Sequence, residues 1–242
     1  MTPLIIIPAR MAATRLPGKP LADIGGTSMI VHVMRRAQEA AIGPVVIACS
    51  ETVVKDVVEA AGGRAVMTDP ELPSGTDRVK ACADIIDPDG QHDIIVNVQG
   101  DMPTLDPGVI KAILAPFDNS DVDMTTAAVA TSDAREIKDP NVVKAVIAGD
   151  GRALYFTRAS APSGDGPIMH HLGLYGYRRA ALDRFCALPP SPLERRERLE
   201  QLRALEDGMR LDVVIVDAAP HGVDTPDDLD RARQLLLKDI TE

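Results

Sequence analysis

Residues 4–21 read LIIIPARMAATRLPGKPL, and the parsing of this stretch decides the rest of the chain. The aliphatic run LIII stops at Pro8 and reads as a short strand. A loop follows that carries Arg10, Arg15 and Lys19, with no Asp or Glu before Asp23. The chain as a whole is acidic, with a formal net charge of −10 over 242 residues. A cationic loop kept clear of carboxylates in such a chain points to an anion held there. Two common phosphate loops are missing from this position. Pro20 stands where a Walker loop needs Ser or Thr, and Ala13 stands where its first Gly belongs. Side chains must therefore supply the charge, and Arg10, Arg15 and Lys19 together balance much of a triphosphate. The alternative is a solvated basic surface loop.

Outward from this stretch, short β-branched runs alternate with amphipathic helical segments. SMIVHVMRRAQEAA predicts a helix with Ile30, Val33, Met34 and Ala37 on one side. PVVIACS is a second strand, and ETVVKDVVEAAG a helix ended by Gly62 and Gly63. RAVMT and DIIVNVQGD are further strands, with the helix TDRVKACADIID between them. Runs apolar on both faces, such as IIVNV, suit a parallel sheet covered by helices above and below. The pattern is doubly wound, with ligands expected at the carboxyl ends of the strands.

Near residue 120 the rhythm changes. VVKAVIAGDGRALYFTRA predicts a hairpin turning at Gly149, Asp150 and Gly151, and SAPSGDGP a mobile loop. HHLGLYGYR predicts a strand with His171, Gly173, Tyr175 and Tyr177 on one face. RRAALDRFCAL and PLERRERLEQLRALEDG predict two helices, LDVVIV a returning strand, and Thr225 with Pro226 opens the last helix. Aromatic residues make up only 2% of the chain, and all but one fall between residues 155 and 185, which marks that segment as distinct.

The acidic balance argues against a nucleic-acid or anionic-membrane surface. Cys49, Cys82 and Cys186 are odd in number and far apart, so neither a disulfide framework nor a zinc site is expected. With no signal-like or membrane-length apolar stretch, the expectation is a soluble cytoplasmic protein.

Several stretches can carry chemistry. VNVQGDMP sends Asp101 out at the carboxyl edge of a strand, where it can ligate Mg²⁺ or simply shape a turn. In HGVDTPDDL, helix capping accounts for Thr225 to Asp228 but leaves Asp224, which is either a second metal ligand or a complement to the helix dipole. SGTDR joins a Gly turn to a helix start and can let Arg78 reach a flat base, or it is a plain N-cap. Arg158, His171 and Tyr175 can grip a sugar acid, with Arg suited to its carboxylate, or can belong to an aromatic dimer interface. Glu200 and Gln201 fall on a predicted helix, by default on its charged solvated face.

IIPAR, TRLPGKPL, SGTDR, VNVQGDMP, LYFTRA, HLGLYGYR, PLERRERLEQLR and GVDTPDDL occur in the order seen in the 3-deoxy-manno-octulosonate cytidylyltransferases, and the chain resembles that family over essentially its whole length. The resemblance implies a single Rossmann-like nucleotidyltransferase domain over residues 1–242, with a mostly parallel sheet and a smaller β-rich subregion. Residues 1–120 would be mainly nucleotide-binding, 121–210 would bind sugar and dimerise, and 211–242 would return to the main sheet. It implies transfer of CMP from CTP to 3-deoxy-D-manno-octulosonate (Kdo) for lipopolysaccharide biosynthesis, with Mg²⁺, in a cytoplasmic homodimer that binds neither nucleic acid nor membrane. Pro8, Ala9, Arg10, Arg15, Lys19, Ser74, Gly75 and Arg78 would bind the nucleotide, and Arg10, Lys19 and Asp101 would be catalytic. Asp101 and Asp224 would hold the metal, while Gln99, Arg158, His171, Tyr175, Glu200 and Gln201 would bind Kdo. Two departures stand out: Met102 where the family commonly has Glu, and a short segment between Pro162 and His170. The rival readings are a cytidylyltransferase for a sialic-acid-like or amino-substituted ulosonic acid, a sugar-1-phosphate nucleotidyltransferase, and a non-catalytic nucleotide-binding regulator.

Overall fold

The opening aliphatic run forms strand β1 (Pro3–Ala9), and Leu4, Ile5, Ile6 and Ile7 are all buried. At roughly 2 kcal/mol for each buried aliphatic side chain, this run makes β1 the natural centre of its sheet. The structure is a computed structural model that describes residues 1–12 and 16–239. It divides into two compact units, Met1–Ile110 with Pro220–Glu242, and Lys111–Ala219.

In the first unit a 3₁₀ turn over Lys19–Leu21 leads to a small hairpin, β2 (Asp23–Ile24) and β3 (Thr27–Ser28), and then to helix α1 (Met29–Glu39). The four residues expected on one face of α1 are buried, joined by Met29 and Val31. Next come β4 (Val45–Cys49), α2 (Thr52–Ala60), β5 (Ala65–Met67), α3 (Gly75–Ile86), β6 (Ile94–Asn97) and α4 (Pro107–Ala112). β1 pairs in parallel with β4 on one side and β6 on the other, and β4 pairs in parallel with β5. The order β6-β1-β4-β5 means that successive strands step outward from β1 and then jump back to its other side. That reversal between β1 and β6 is a topological switch point, where the loops beyond the two strands diverge and leave a crevice.

The second unit holds β7 (Met124–Thr131), α5 (Ala134–Lys138), β8 (Lys144–Ile147), β9 (Ala153–Thr157), β10 (Ile168–Arg178), α6 (Arg179–Ala187), α7 (Pro192–Glu197), α8 (Leu202–Glu206) and β11 (Leu211–Val216). Here β10 is antiparallel to β7 and β8, β8 is antiparallel to β9, and β11 runs parallel to β7. The predicted hairpin is present as β8 and β9. β10 carries an irregularity between Leu172 and Tyr175 that adds two residues against β7. An insertion of two preserves the alternation, so the His171, Tyr175 and Tyr177 rings still follow one another at 5.5 and 6.0 Å.

One predicted element is corrected. PLERRERLEQLRALEDG is not one helix: α7 stops at Glu197, Arg198 takes a left-handed backbone at φ 56°, and α8 begins at Leu202. Glu200 and Gln201 therefore lie in the turn between two short helices, not on a solvated helix face. The break turns Leu199 inward, where it is buried.

At Pro220 the chain returns to the first unit and ends in α9 (Pro226–Asp239). Leu229 and Ala232 of α9 pack with Val223, Ile24 and Met29, against which Leu16 also lies. Among the described residues no helix is long and apolar enough to cross a membrane.

At the carboxyl end of β6 the backbone passes so close to β1 that a Cβ on Gly100 would lie 2.8 Å from the Pro8 carbonyl oxygen. We expect Gly100→Ala to destabilise the fold by about 1–3 kcal/mol, since neither backbone can yield without disturbing the pairing. Urea denaturation measures it, and an unchanged midpoint would contradict this account.

Candidate functional site

Beyond the β1/β6 switch point lies a cavity of about 360 Å³, within the usual range for a small-molecule site. The end of β1 contributes Pro8 and Ala9, and the loop after it Arg10, Ala12, Leu16, Lys19 and Pro20. The start of α3 adds Ser74, Gly75 and Arg78, the segment after β6 adds Gln99, Gly100 and Asp101, and the segment before α9 adds Asp224. Every described member of the sequence-derived nucleotide and metal sets lines it. Arg15 lies outside the described residues.

Lys19 sits at the centre. Its Nζ donates to Asp101 Oδ2 at 2.7 Å and to Asp224 Oδ1 at 2.9 Å. Gly18, in the left-handed region at φ 71°, starts the 3₁₀ turn that presents it, and the Gly18 N–H donates to the Met11 carbonyl at 3.3 Å. The Val223 N–H donates to the Asp101 carbonyl at 2.9 Å, which sets Asp224 beside Asp101. Burial works against the Lys19 charge, but the two carboxylates outweigh it and hold the ammonium above its ordinary pKa.

Two details refine the expectations here. Ser74 is an N-cap, its Oγ accepting from the Asp77 N–H at 3.1 Å, and it also lines the cavity, so capping and site roles coincide. Arg78 is buried beneath the cavity with Nη1 donating to Thr68 Oγ1 at 2.5 Å. Burial pushes its pKa down, opposed by the nearby Glu51 and reinforced by Arg10. Glu51 was missed by sequence reasoning. It follows β4 at the same carboxyl edge, and its Oε1 accepts from the Met11 N–H at 3.1 Å, which anchors the cationic loop. Being a strand-end carboxylate beside that loop was the available signal.

The other sugar-site candidates belong to the second unit, apart from Gln99. His171 is buried, edge-on to Phe156 at 4.9 Å between ring centroids. Its Nε2 lies 3.0 Å from Thr126 Oγ1, whose proton is directed to the carbonyls of Leu172 and Leu174 at 3.0 and 2.7 Å. A hydroxyl has one proton, so Nε2–H is the donor to Oγ1. Burial, helped by His170, pushes its pKa down to about 3. Burial and then Glu200 push the Tyr175 phenol far above its ordinary value, so it too stays neutral and can donate. Gln201 is buried, and its Nε2 has no hydrogen-bond partner among the described residues. Such a donor costs stability until something accepts from it. Arg158 is held by surrounding carbonyls.

A cationic loop and paired carboxylates around a cavity at the switch point of a parallel sheet define the architecture of a nucleotidyltransferase. Comparison with known proteins agrees. The family described as Cytidylyltransferase matches residues 4–211. A relative from Rhodospirillum centenum named 3-deoxy-manno-octulosonate cytidylyltransferase is 60% identical over 239 residues, covering 97% of this chain and 93% of its own. One of the same name from Methylobacterium radiotolerans is 60% identical over 238 residues, covering 97% and 96%. A solved CMP:2-keto-3-deoxy-manno-octonic acid synthetase complexed with CTP superposes with a TM-score of 0.93 at 37% identity, covering 99% of this chain and 100% of that one. A glucose-1-phosphate thymidylyltransferase structure from Bacillus anthracis, at 18% identity and a TM-score of 0.69, shares the fold. The chain belongs to the 3-deoxy-manno-octulosonate cytidylyltransferase family.

The neutral His171 has a measurable consequence. Below about pH 6.5 the unfolded chain takes up a proton that the folded chain refuses until about pH 3. Stability therefore falls as pH drops through that window, by at most about 1.4 kcal/mol per pH unit from this group. Replacing it (His171→Gln) is expected to flatten the stability–pH curve there. A slope identical to wild type would show that the ring is not held neutral.

Proposed function

We propose that this protein transfers CMP from CTP to the anomeric hydroxyl of Kdo, releasing pyrophosphate and forming CMP-Kdo for lipopolysaccharide biosynthesis. The single observation that carries the reading is Lys19 bound at once to Asp101 and Asp224 in the switch-point cavity. The names and near-full-length identity of the relatives support the choice of CTP and Kdo.

The anomeric oxygen attacks the α-phosphorus in line as the bond to pyrophosphate breaks, and the hydroxyl proton leaves to solvent. Such a transfer needs positioning and charge neutralisation more than covalent help. Arg10 and Lys19 offset the negative charge that grows on the leaving pyrophosphate. Pro8, Ala9, Ser74 and Gly75 form the cavity wall for the nucleoside, with Arg78 beneath them. Gln99, Arg158, His171, Tyr175, Glu200 and Gln201 are assigned to the sugar acid. His171 is held neutral, so it can orient a hydroxyl but not neutralise the carboxylate, a task left to Arg158.

Mg²⁺ is the cofactor in this reading. Asp101 and Asp224 converge closely enough to touch one ammonium between them, so they already define a cation position. Two carboxylates suit Mg²⁺, which fills the rest of its shell with phosphate oxygens and water. Bound there, the ion would polarise the α-phosphate and lower the pKa of the attacking hydroxyl. Lys19, no longer needed to neutralise the two carboxylates, is then available to phosphate oxygens.

The reading includes a cytoplasmic homodimer. Leu154 on β9 and Ile215 on β11, about half exposed, offer apolar surface in the second unit for the partner. Sedimentation velocity is expected to give twice the chain mass at micromolar concentration; a monomer throughout would remove this element.

Pyrophosphate release from CTP, Kdo and Mg²⁺ is the central test. Lys19→Ala and Asp101→Asn should each lower kcat/KM about 10²–10³-fold with the fold intact. Omitting the divalent ion should abolish turnover. A nine-carbon or amino-substituted ulosonic acid that outperforms Kdo would transfer the assignment to the related enzyme class. Full activity of Lys19→Ala would overturn the mechanism.

A further inference from the structure

In the second unit, opposite charges from two elements grip the backbone of one residue. The Arg158 N–H donates to Glu197 Oε2 at 2.9 Å, and the Arg158 carbonyl accepts from Lys144 Nζ at 3.3 Å. Glu197, at the end of α7, also accepts from the hydroxyls of Thr157 at 2.9 Å and Tyr155 at 3.4 Å through Oε1. Lys144, on β8, is wholly buried and donates in addition to the Asp139 carbonyl at 2.6 Å. Burying an ammonium against carbonyl oxygens is costly, and burial accordingly pushes the Lys144 pKa down.

What these contacts fix is the origin of the Arg158 side chain. Nε donates to the Glu197 carbonyl at 3.0 Å, Nη1 to the Pro140 carbonyl at 3.0 Å and Nη2 to the Arg198 carbonyl at 3.4 Å. A guanidinium has about five N–H groups. Three are engaged among the described residues, which leaves one on each Nη. A pair of N–H groups on one planar guanidinium is what a carboxylate accepts best. The same contacts secure the left-handed turn after α7, which carries Glu200 and Gln201.

We propose that Lys144 and Glu197 are positioning residues for the acid end of the sugar substrate. They fix the Arg158 backbone at its N–H and at its carbonyl, on either side of Cα, so that the guanidinium presents its two open N–H groups to the substrate carboxylate. This rests on the assignment of Arg158 to the sugar acid.

The test uses the full chain with Mg²⁺ and CTP, and reads KM for Kdo, KM for CTP, kcat and thermal midpoint. Arg158→Ala is expected to raise KM for Kdo about 10- to 100-fold with KM for CTP unchanged. Glu197→Gln, which keeps one acceptor oxygen and nearly the same shape, should raise KM for Kdo about three- to tenfold, again with KM for CTP unaffected and the midpoint lowered by no more than a few degrees. Lys144→Met should do the same where it folds, and Glu197→Gln carries the test where it does not. In the Arg158→Ala background, Glu197→Gln should add nothing further, because its effect passes through Arg158. If Arg158→Ala leaves KM for Kdo unchanged, the assignment of Arg158 falls and this proposal with it. If Arg158→Ala has its effect but Glu197→Gln has none, or has the same effect in both backgrounds, the positioning role alone is overturned. Both KM values of Glu197→Gln shifted together would likewise assign Glu197 to structure only.

Discussion

One ammonium held between two carboxylates organises the first unit. Lys19 lies 82 residues from Asp101 and 205 from Asp224, so no local preference of the chain can bring the three together. Their meeting depends on three separate packing events. β6 must pair with β1, so that Asp101 emerges next to the loop that carries Lys19. The Val223 N–H must find the Asp101 carbonyl. Finally α9 must bury Leu229 and Ala232 against Ile24 and Met29, which holds the segment before the helix in place. An unpaired Asp101 and Asp224 would repel one another at this separation, and an unpaired Lys19 would be a poorly solvated cation. Lys19 offsets one of the two carboxylate charges and holds the pair together.

The two units handle charge differently. In the first, cations and anions face a cavity, and their charges remain accessible. In the second, two of the titratable groups assigned to the sugar, His171 and Tyr175, are held neutral by burial, and Arg158 is surrounded by carbonyls. A phosphate site works by bringing charge to charge. A sugar site works by directing hydrogen bonds, and a neutral group of fixed orientation discriminates hydroxyls better than a mobile ion.

Much of this was legible in one dimension. β1, α1, β4, α2, α3 and β6 follow from runs of apolar residues at strand or helix spacing. The gap in acidic residues before Asp23 exposed the cationic loop. Asp224 stood out because capping explained its neighbours and not itself, and Asp228 indeed accepts from the Thr225 backbone and hydroxyl at 2.9 and 2.8 Å. What escaped was what backbone hydrogen bonds between distant segments decide. The break after Glu197 has no helix-breaking residue to announce it, since Arg198 takes the left-handed conformation under tertiary constraint. Glu51 looked like any charged residue after a strand. Lys144 left a trace, a single charge in the apolar run VVKAVI, but its partners are carbonyls that no sequence pattern displays.

Periodicity and charge placement are local properties, so the sequence by itself determined the alternation of strands and helices, the cationic turn, and which acids were free of capping duty. Distance between segments is a global property. Only the tertiary structure decided that Lys19 touches both aspartates, that Glu200 and Gln201 lie in a turn, and that the Arg158 backbone is held at both its N–H and its carbonyl. The physical reason is that each of these is set by burial and pairing energies summed over elements far apart in the chain, and no window of neighbouring residues contains that sum.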